Sequence, residues 1–450
     1  MSVNACSRAG AKADRGCGNY SLMPAAGYSS GRGSRPLPRE MKIRGMAFLP
    51  LSPHGYSPAF ATMCPFDYAF PFGTAEGYFV SEQKKTLRTP FYDLHIQTGA
   101  KMVDFAGWEM PLLYRGIIPE HQQTRSAASV FDVSHMGRLE FRGDGAVDFL
   151  EHVLTRKIRN AAVGQSLYSL VCHDRGGILD DVIVSRYEKH WLMVCNASNR
   201  EKLLAWFSRH TAGYAVTIKD ETMNTAMVAV QGPKVIGLLD ELLPEPVSDL
   251  KRYHFKVQRY LFFSFTVFRS GYTGEDGVEI ICGTKAAQMG MGFLFKQGKI
   301  PAEVPMQPAG LGCRDTLRLE AGMPLYGHEL DESRDPISAG LSWAVAADKA
   351  FVGSDAIARI RAEGPSQKLV GLLVDGPRTP RQGMAVLSGG KPAGVVTSGT
   401  AGPTLGRTIA MAYVDAPQAA AGTELAVDLR GAATRAVVSP LPFYRRTAAS

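Results

Sequence analysis

The stretch Arg175-Gly-Gly-Ile-Leu-Asp-Asp-Val-Ile-Val184 joins two glycines to a run of apolar and β-branched residues. Glycine favours turns and β-branched residues favour strands, so the stretch predicts a turn followed by a strand. Because side chains alternate between the faces of a strand, Asp180 shares a face with Val182 and Val184, and Asp181 lies on the other face. At least one carboxylate must point toward an apolar layer, where an uncompensated charge is costly. Two interpretations stay open: the acids cap the turn, or one of them serves the function.

Similar runs continue on both sides of this stretch. Strands are predicted at 138–142, 178–187, 191–196, 227–231, 264–269 and 278–282, and helices at 145–154, 199–210 and 314–321. The irregular interleaving, with hairpin-like returns, favours an α+β fold with antiparallel sheets over a parallel doubly wound sheet. The apolar run at 260–268 is short and interrupted by hydroxyl groups, so it predicts a buried strand and not a membrane span.

The C-terminal part has a different pattern. A helix is predicted from Phe351 to Arg359, within a boundary region at 347–368. Short strands separated by turn residues follow at 368–374, 384–387, 392–397, 409–414, 424–429 and 435–440. This regular spacing predicts a small all-β domain, a barrel or a jelly roll, which we place at 365–448.

Residues 1–86 are rich in Gly, Ser, Pro and Arg and are expected to be disordered. Two interpretations compete: a transit peptide, or an upstream extension outside the working protein, which the prolines and weak amphipathic pattern favour. The formal net charge is +8, but residues 1–50 hold eight Lys or Arg and two acids, so the remainder carries only +2. We therefore expect no nucleic-acid partner, since such binding needs a basic stripe on the folded part.

The usual cofactor signatures are missing from the sequence. It contains no G-x-G-x-x-G after a strand, no G-x-x-x-x-G-K-[ST] and no H-E-x-x-H. No run of about 18 apolar residues occurs either, so no membrane association is expected. We expect chemistry by carboxylates, arginines and polar side chains, without metal, flavin or nucleotide.

Two further segments carry charged residues in distinctive patterns. The loop Ser270-Gly-Tyr-Thr-Gly-Glu-Asp-Gly-Val-Glu-Ile280 has three glycines, and the simplest interpretation is a hairpin whose acids face water. In the predicted helix that Gly322 ends, Arg314 and Arg318 lie four residues apart and share a face. An anion or polar heterocycle could bridge the two guanidinium groups, or Asp315 could form a local ion pair with Arg318.

Three other residues are weaker candidates. Trp108, in the segment 104–111, supplies an aromatic wall that is more often core than ligand platform. His135, in 132–136, is the single histidine near these segments, and such a histidine is usually a satisfied structural group. Asn196 ends an apolar strand and could donate and accept hydrogen bonds toward a heterocycle.

Six of these segments together carry a family resemblance. They are Phe105-Ala-Gly-Trp-Glu-Met-Pro111, Phe131-Asp-Val-Ser-His-Met136, Gly176-Gly-Ile-Leu-Asp-Asp181, Gly271-Tyr-Thr-Gly-Glu275, Arg314-Asp-Thr-Leu-Arg-Leu-Glu-Ala-Gly322 and Thr397-Ser-Gly-Thr400. In this order they resemble the T-protein of the glycine cleavage system, an aminomethyltransferase, from about Thr89 to Arg446. The resemblance implies three domains in a cloverleaf-like arrangement around a central folate channel, with two intertwined α+β domains at 87–346.

The resemblance also implies the activity and its residues. A one-carbon unit would pass from the aminomethyl-dihydrolipoyl H-protein, the expected partner, to tetrahydrofolate, the expected co-substrate, with release of ammonia. Asp180 resembles the essential carboxylate, and Glu279 and Arg314 resemble folate-binding positions. The resemblance adds candidates for the channel lining and for a C-terminal folate contact: Tyr168, Asn196, Tyr272, Met136 and Trp108 for the lining, and Tyr444 or Arg445 for the contact.

Alternatives remain within the same fold. Demethylating dehydrogenases join such a domain to a flavin domain, but the dinucleotide fingerprint is missing here. A folate-binding assembly or scaffold protein without transferase activity would carry a Lys-Gly-Cys-Tyr-x-Gly-Gln-Glu segment, where this chain has Leu311-Gly-Cys-Arg-Asp-Thr-Leu-Arg-Leu-Glu320. We expect the bacterial cytoplasm as the location, with the mitochondrial matrix as the alternative.

Overall fold

A computed structural model describes residues 86–294 and 306–446, without the side chains of 291–294. The predicted N-terminal extension therefore lies outside the described residues, except for Thr86 at its end. Within the described ranges, no helix has the length and apolar character that crossing a membrane would need.

The helices and strands follow one another irregularly along the chain. Up to residue 308 the described strands are β1 (Leu87–Arg88), β2 (Lys101–Phe105), β3 (Trp108–Leu113), β4 (Ala128–Asp132), β5 (Gly137–Arg142), β6 (Ser166–Cys172), β7 (Ile178–Arg186), β8 (Trp191–Cys195), β9 (Thr217–Asp220), β10 (Thr225–Gln231), β11 (Phe255–Tyr260), β12 (Phe263–Phe268), β13 (Gly277–Gly283) and β14 (Met306–Pro308). The α-helices are α1 (Tyr92–Gln97), α2 (Ile117–Ser126), α3 (Ala146–Val153), α4 (Arg200–Ser208), α5 (Val235–Leu242), α6 (Thr284–Leu294), α7 (Leu311–Glu320) and α8 (Ser354–Glu363).

These strands form two main sheets and one small sheet. The order β6-β7-β8-β5-β9 gives a five-stranded antiparallel sheet. The order β11-β12-β13-β10-β4-β14 gives a six-stranded sheet in which only the β4–β14 pair is parallel. Strands β1, β3 and β2 form the small sheet. The predicted α+β class with antiparallel sheets is confirmed.

The C-terminal strands close into a barrel. They are β15 (Gln367–Val374), β16 (Ala385–Ser388), β17 (Lys391–Gly402), β18 (Arg407–Asp415), β19 (Glu424–Asp428) and β20 (Ala433–Ser439). Their order is β15-β18-β17-β16-β19-β20, with β20 returning to β15. Valine, leucine and alanine side chains from these strands fill its interior. The predicted all-β domain is thus a closed six-stranded barrel, which removes exposed sheet edges.

Two glycines shape the turn that leads into β7. Gly176 has a φ of 87°, which favours glycine, and a Cβ on Gly177 would lie 2.0 Å from the carbonyl oxygen of Glu332. Strand β7 then pairs with β6 and β8, and Val182 and Val184 enter the apolar core between this sheet and helices α3 and α4. The predicted alternation of faces therefore holds on this side of the strand.

The apolar run at 260–268 matches its prediction only in part, because residues 263–268 form β12, in which Val267 and Phe268 are buried, and the run begins with a turn. The turn residues Leu261 and Phe262, which connect β11 to β12, are 75% and 96% exposed. The aromatic and hydroxyl-bearing residues fit a strand, but apolar character alone did not indicate that the chain reverses inside the run.

Candidate active site

A cavity of about 1180 Å³ lies where the two main sheets, helix α7 and the barrel meet. Its wall includes Tyr168 and Asp181 from the five-stranded sheet, Glu279 from the six-stranded sheet and Arg314 from α7. Barrel residues, among them 438–442, complete the wall. Segments far apart in the sequence therefore converge on one space, as the expected central channel requires.

The adjacent acids of β7 occupy different places. Asp181 lines the cavity, where its carboxylate accepts hydrogen bonds from the Tyr168 hydroxyl at 3.2 Å and the Asn196 amide at 2.8 Å. Asp180 is fully buried behind the wall and accepts from the Asn196 amide at 2.8 Å, the Asn196 backbone at 3.0 Å and the Asn199 amide at 2.6 Å. Neither acid caps the glycine turn, so that interpretation is wrong.

The electrostatics of this pair follow from its burial. Removal from water raises the pKa of Asp180, and the neighbouring Asp181 charge raises it further against the hydrogen bonds from Asn199 and Asn196. Burial also raises the pKa of Asp181, opposed by donors from Asn196 and Tyr168. Carboxyl groups with raised pKa values can exchange protons near neutral pH, which suits general acid–base work.

A second polar group lies on the wall formed by β13 and α7. Glu279 is buried and accepts a hydrogen bond from the Ser270 hydroxyl at 2.5 Å. The Arg314 guanidinium carbon lies 5.0 Å from the centre of the Tyr272 ring. Burial lowers the pKa of Arg314, while the Glu279 charge raises it. Its Nη1 is buried without a hydrogen-bond partner among the described residues, so a bound ligand could supply one.

Arg318 has a different role from Arg314, although both line the cavity. It donates hydrogen bonds to Asp315 at 2.8 Å, Glu329 at 2.8 Å and Ser398 at 2.7 Å. The local ion pair with Asp315 is therefore confirmed, and the guanidinium is committed to protein partners. The idea that a single ligand bridges both arginines is not supported by this geometry.

Comparisons with known proteins cover nearly all of the described chain. A family model described as the GCVT N-terminal domain matches residues 91–349, and one described as the glycine cleavage T-protein C-terminal barrel domain matches residues 367–445. The chain belongs to the glycine cleavage T-protein family.

Similar T-proteins are found among curated sequences and solved structures. The aminomethyltransferase of Rubrobacter xylanophilus is 47% identical over 361 residues, which cover 80% of this chain and 94% of the relative. That of Shouchella clausii is 42% identical, covering 81% of this chain and all of the relative. The crystal structure of glycine cleavage system aminomethyltransferase T from Bartonella henselae has a TM-score of 0.73 at 34% identity, covering 79% of this chain and 98% of that one.

These matches support an enzyme of the glycine cleavage system. As a T-protein family member, the chain is an aminomethyltransferase, and family membership implies that it uses a folate. The curated names favour the enzyme over the scaffold alternative.

The structure brings together six of the residues that the T-protein resemblance selected. The cavity wall includes Met136, Tyr168, Asn196, Tyr272, Glu279 and Arg314. Of the two adjacent acids of β7, Asp181 lines the cavity and Asp180 is buried behind it, so catalysis by Asp180 stays a prediction. The strand alternation was right, but the sequence did not indicate which face of β7 would meet the cavity.

Three other selected residues lie outside the cavity wall. Trp108 is buried beside β1 and borders a separate small cleft, since β3 turns its side chain away from the large cavity. The Tyr444 hydroxyl donates to Glu275 at 2.7 Å, and its ring stacks on Arg125. Arg445 is exposed. The C-terminal segment reaches the wall through residues 438–442 instead, so a folate contact by Tyr444 or Arg445 stays a prediction.

The acids of the 270–280 loop do not face water as the simplest interpretation held. Glu275 and Glu279 are both buried, and Asp276 pairs with Arg269 at 2.8 Å. The loop does connect two antiparallel neighbours, β12 and β13. The hairpin was therefore predictable, whereas the partners that bury its acids come from distant segments such as Arg125 in α2.

Sequence reasoning missed several members of the wall. Asp181, Phe105 and His135 all line the cavity. Asp181 has the same local signal as Asp180, and only the resemblance to the T-protein family selects Asp180 of the two. His135 was interpreted as a satisfied structural group, but its Nδ1 has no hydrogen-bond partner in the described part of the chain.

Proposed function

We propose that the protein transfers the one-carbon unit of an aminomethyl-dihydrolipoyl group, carried by the lipoylated H-protein, to tetrahydrofolate. The products are methylene-tetrahydrofolate, ammonia and the dihydrolipoyl H-protein. The single observation that carries this proposal is the half-buried Asp181 carboxylate on the wall of a cavity large enough for a folate heterocycle.

The reaction requires bond exchange at one carbon and two proton transfers. The methylene carbon loses its bonds to sulfur and to the amino nitrogen and gains bonds to two folate nitrogens. Each of those nitrogens gives up one proton, and one proton reaches the thiol and the other reaches ammonia. Positive charge develops at the methylene carbon as the first bond breaks, so a fixed carboxylate lowers the barrier. A carboxyl group with a raised pKa can also carry a proton between these atoms.

We assign the carboxylate on the wall to Asp181 and give Asp180 a supporting role. Both acids accept from the same Asn196 amide, which ties their orientations together. The family resemblance implies catalysis by Asp180, and the variants Asp181→Asn and Asp180→Asn distinguish the two assignments. Geometry supports Asp181, because only its side chain reaches the cavity wall.

We assign folate binding to Glu279 and Arg314, with Tyr272 beside them. A buried carboxylate accepts from amino and ring N–H groups, and an arginine N–H donates to a ring carbonyl, so the pair suits a pterin edge. Met136 and Tyr168 supply apolar and aromatic surface elsewhere in the same cavity. The working protein spans the core at 87–346 and the barrel at 365–448, with residues 1–86 outside it.

Ammonia release distinguishes this enzyme from a folate-binding scaffold. The purified protein is mixed with aminomethyl-lipoyl H-protein and tetrahydrofolate, and ammonia and methylene-tetrahydrofolate are both measured. We expect the two products in equal amounts and only when all three components are present. Tetrahydrofolate binding without ammonia above the protein-free control would favour the scaffold and contradict the proposal.

A further inference from the structure

His135 sits on the cavity wall with an unused polar atom. It follows β4 in the short link to β5, and its residue is only 5% exposed. Its Nδ1 is buried, and no described residue forms a hydrogen bond with it. Leaving such an atom unpaired costs the hydrogen bond it would make in water, so its position calls for an explanation.

The backbone around His135 is fixed by the protein. The Val133 N–H donates to the Met227 carbonyl at 3.0 Å, and the Ser134 hydroxyl donates to the same carbonyl at 3.1 Å. The Ser134 N–H donates to Asp132 at 2.9 Å, and Arg138 donates to the Ser134 carbonyl at 3.1 Å. A loosely held loop therefore does not explain the unpaired nitrogen.

A second unpaired atom belongs to the same cavity. Arg314, whose Nη1 also lacks a partner among the described residues, lines this cavity with His135. The positive charge of Arg314 is close enough to affect the His135 ring. A polar ligand bound in this cavity would be the partner that both atoms lack among the described residues.

The chemistry of the ring limits what that ligand can be. Burial, opposed by the Asp132 charge and helped by the charges of Arg314 and Arg138, lowers the pKa of His135 to about 4, so the ring is neutral at physiological pH. A neutral imidazole offers one donor and one acceptor. The Phe105 ring meets it edge-on at 5.5 Å and supplies an apolar flank. A neutral heterocycle edge that carries N–H and carbonyl groups matches this environment better than a free carboxylate.

We infer that His135 is a further binding residue of this site, contacting the heterocycle of bound tetrahydrofolate through Nδ1 beside Arg314. This inference rests on the proposed function, because it takes tetrahydrofolate as the ligand. It makes His135 a residue that selects the heterocycle and gives it no part in proton transfer.

The decisive variant is His135→Phe, which keeps an aromatic ring against Phe105 and removes both nitrogens. Tetrahydrofolate affinity is measured by anaerobic calorimetric titration, and Tm by thermal unfolding without ligand. We expect Kd to rise about tenfold, while Tm stays equal or rises because an unpaired buried nitrogen is gone. His135→Asn, which restores a polar atom near the Nδ1 position, should recover part of the affinity.

His95→Phe is the matched control. His95 is also buried, but its nitrogens are paired with Asp132 and with Tyr114, both at 2.9 Å. This variant should lower Tm, the opposite of His135→Phe. The inference is overturned if His135→Phe binds tetrahydrofolate with unchanged Kd. It is also overturned if Kd rises equally in His135→Phe and His135→Asn. Either result leaves the proposed function intact. If the unmodified protein fails to bind tetrahydrofolate, the proposed function fails and this inference fails with it.

Discussion

Arg314 and Arg318 lie one helical turn apart, yet the structure gives them different tasks. The helical spacing predicted that they share a face, and both do line the cavity. Spacing predicts the Asp315 partner of Arg318, but its other partners come from the barrel and from the segment after α7, which spacing cannot reveal. Arg318 is committed to Glu329 and Ser398, whereas Arg314 keeps a nitrogen without a partner among the described residues.

Arg314→Ala should therefore raise KM for tetrahydrofolate more than it lowers kcat, because the lost interaction is a binding contact. An increase of about tenfold corresponds to one charge-assisted hydrogen bond. Steady-state kinetics with varied tetrahydrofolate check this. Arg318→Met is the control and should lower the free energy of unfolding, since it leaves Glu329 buried without its cation. Unaltered folate affinity in Arg314→Ala would make Arg314 structural.

Among the elements, periodicity and turn residues predicted most of what is observed. The predicted strand at 178–187 and helix at 145–154 appear as β7 and α3 with ends shifted by a residue. All six strands of the barrel were predicted because glycine and proline separate them. The 260–268 run was predicted only in part, since nothing local distinguishes an exposed apolar turn at Leu261 from the strand that follows it.

Helix α7 is tied to α2 and the barrel by one buried carboxylate. Glu320 accepts hydrogen bonds from Arg125 at 2.9 Å and from the Thr404 backbone at 2.8 Å, and lies 3.2 Å from His121. Burial alone raises its pKa, but hydrogen bonds from His121, Thr404 and Arg125 lower that pKa to about 2. These partners are distant in sequence, so no local pattern predicted the network.

Glu320→Gln should lower the free energy of unfolding at pH 7 by about 2–3 kcal/mol. A carboxylate with a depressed pKa stabilises the fold above its unfolded value of 4.5, and this is lost as pH falls toward 2. Urea unfolding at several pH values should therefore show the deficit shrinking below about pH 4.5. The exposed Glu363→Gln is the control and should show no deficit. A deficit that stays constant down to pH 3 would contradict this account.

At the scale of the whole molecule, the site arises from segments that the sequence keeps far apart. The motifs predicted the fold and six members of the cavity wall through their resemblance to the T-protein family. They did not indicate that Asp181, and not Asp180, lines the cavity, or that Trp108 lies outside the cavity wall. Those details depend on how the two sheets and the barrel pack, which is set by long-range contacts.

The matched part of the chain should be sufficient for turnover. The family models begin at residue 91, so a protein starting at Ser81 retains every matched residue. We expect its folate-dependent turnover to stay within about tenfold of the full chain, which is roughly 1.4 kcal/mol of barrier. The two proteins are compared in parallel assays with H-protein in excess. A larger loss would give residues 1–80 a role in the reaction.

The central claim is that Asp181, facing the cavity, carries the chemistry, and the turnover of Asp181→Asn at saturating tetrahydrofolate tests it most directly. The amide keeps the shape of the side chain but loses its charge and its ability to take up a proton. We expect turnover to fall by about 10²–10⁴, with tetrahydrofolate affinity and Tm little changed. Asp180→Asn is measured beside it. This variant should lower Tm, because the Asn196 backbone N–H and the Asn196 and Asn199 side-chain amides no longer donate to a carboxylate. It should retain more turnover than Asp181→Asn. Near-normal turnover in Asp181→Asn would contradict the claim, and an inactive but folded Asp180→Asn would return the catalysis to Asp180.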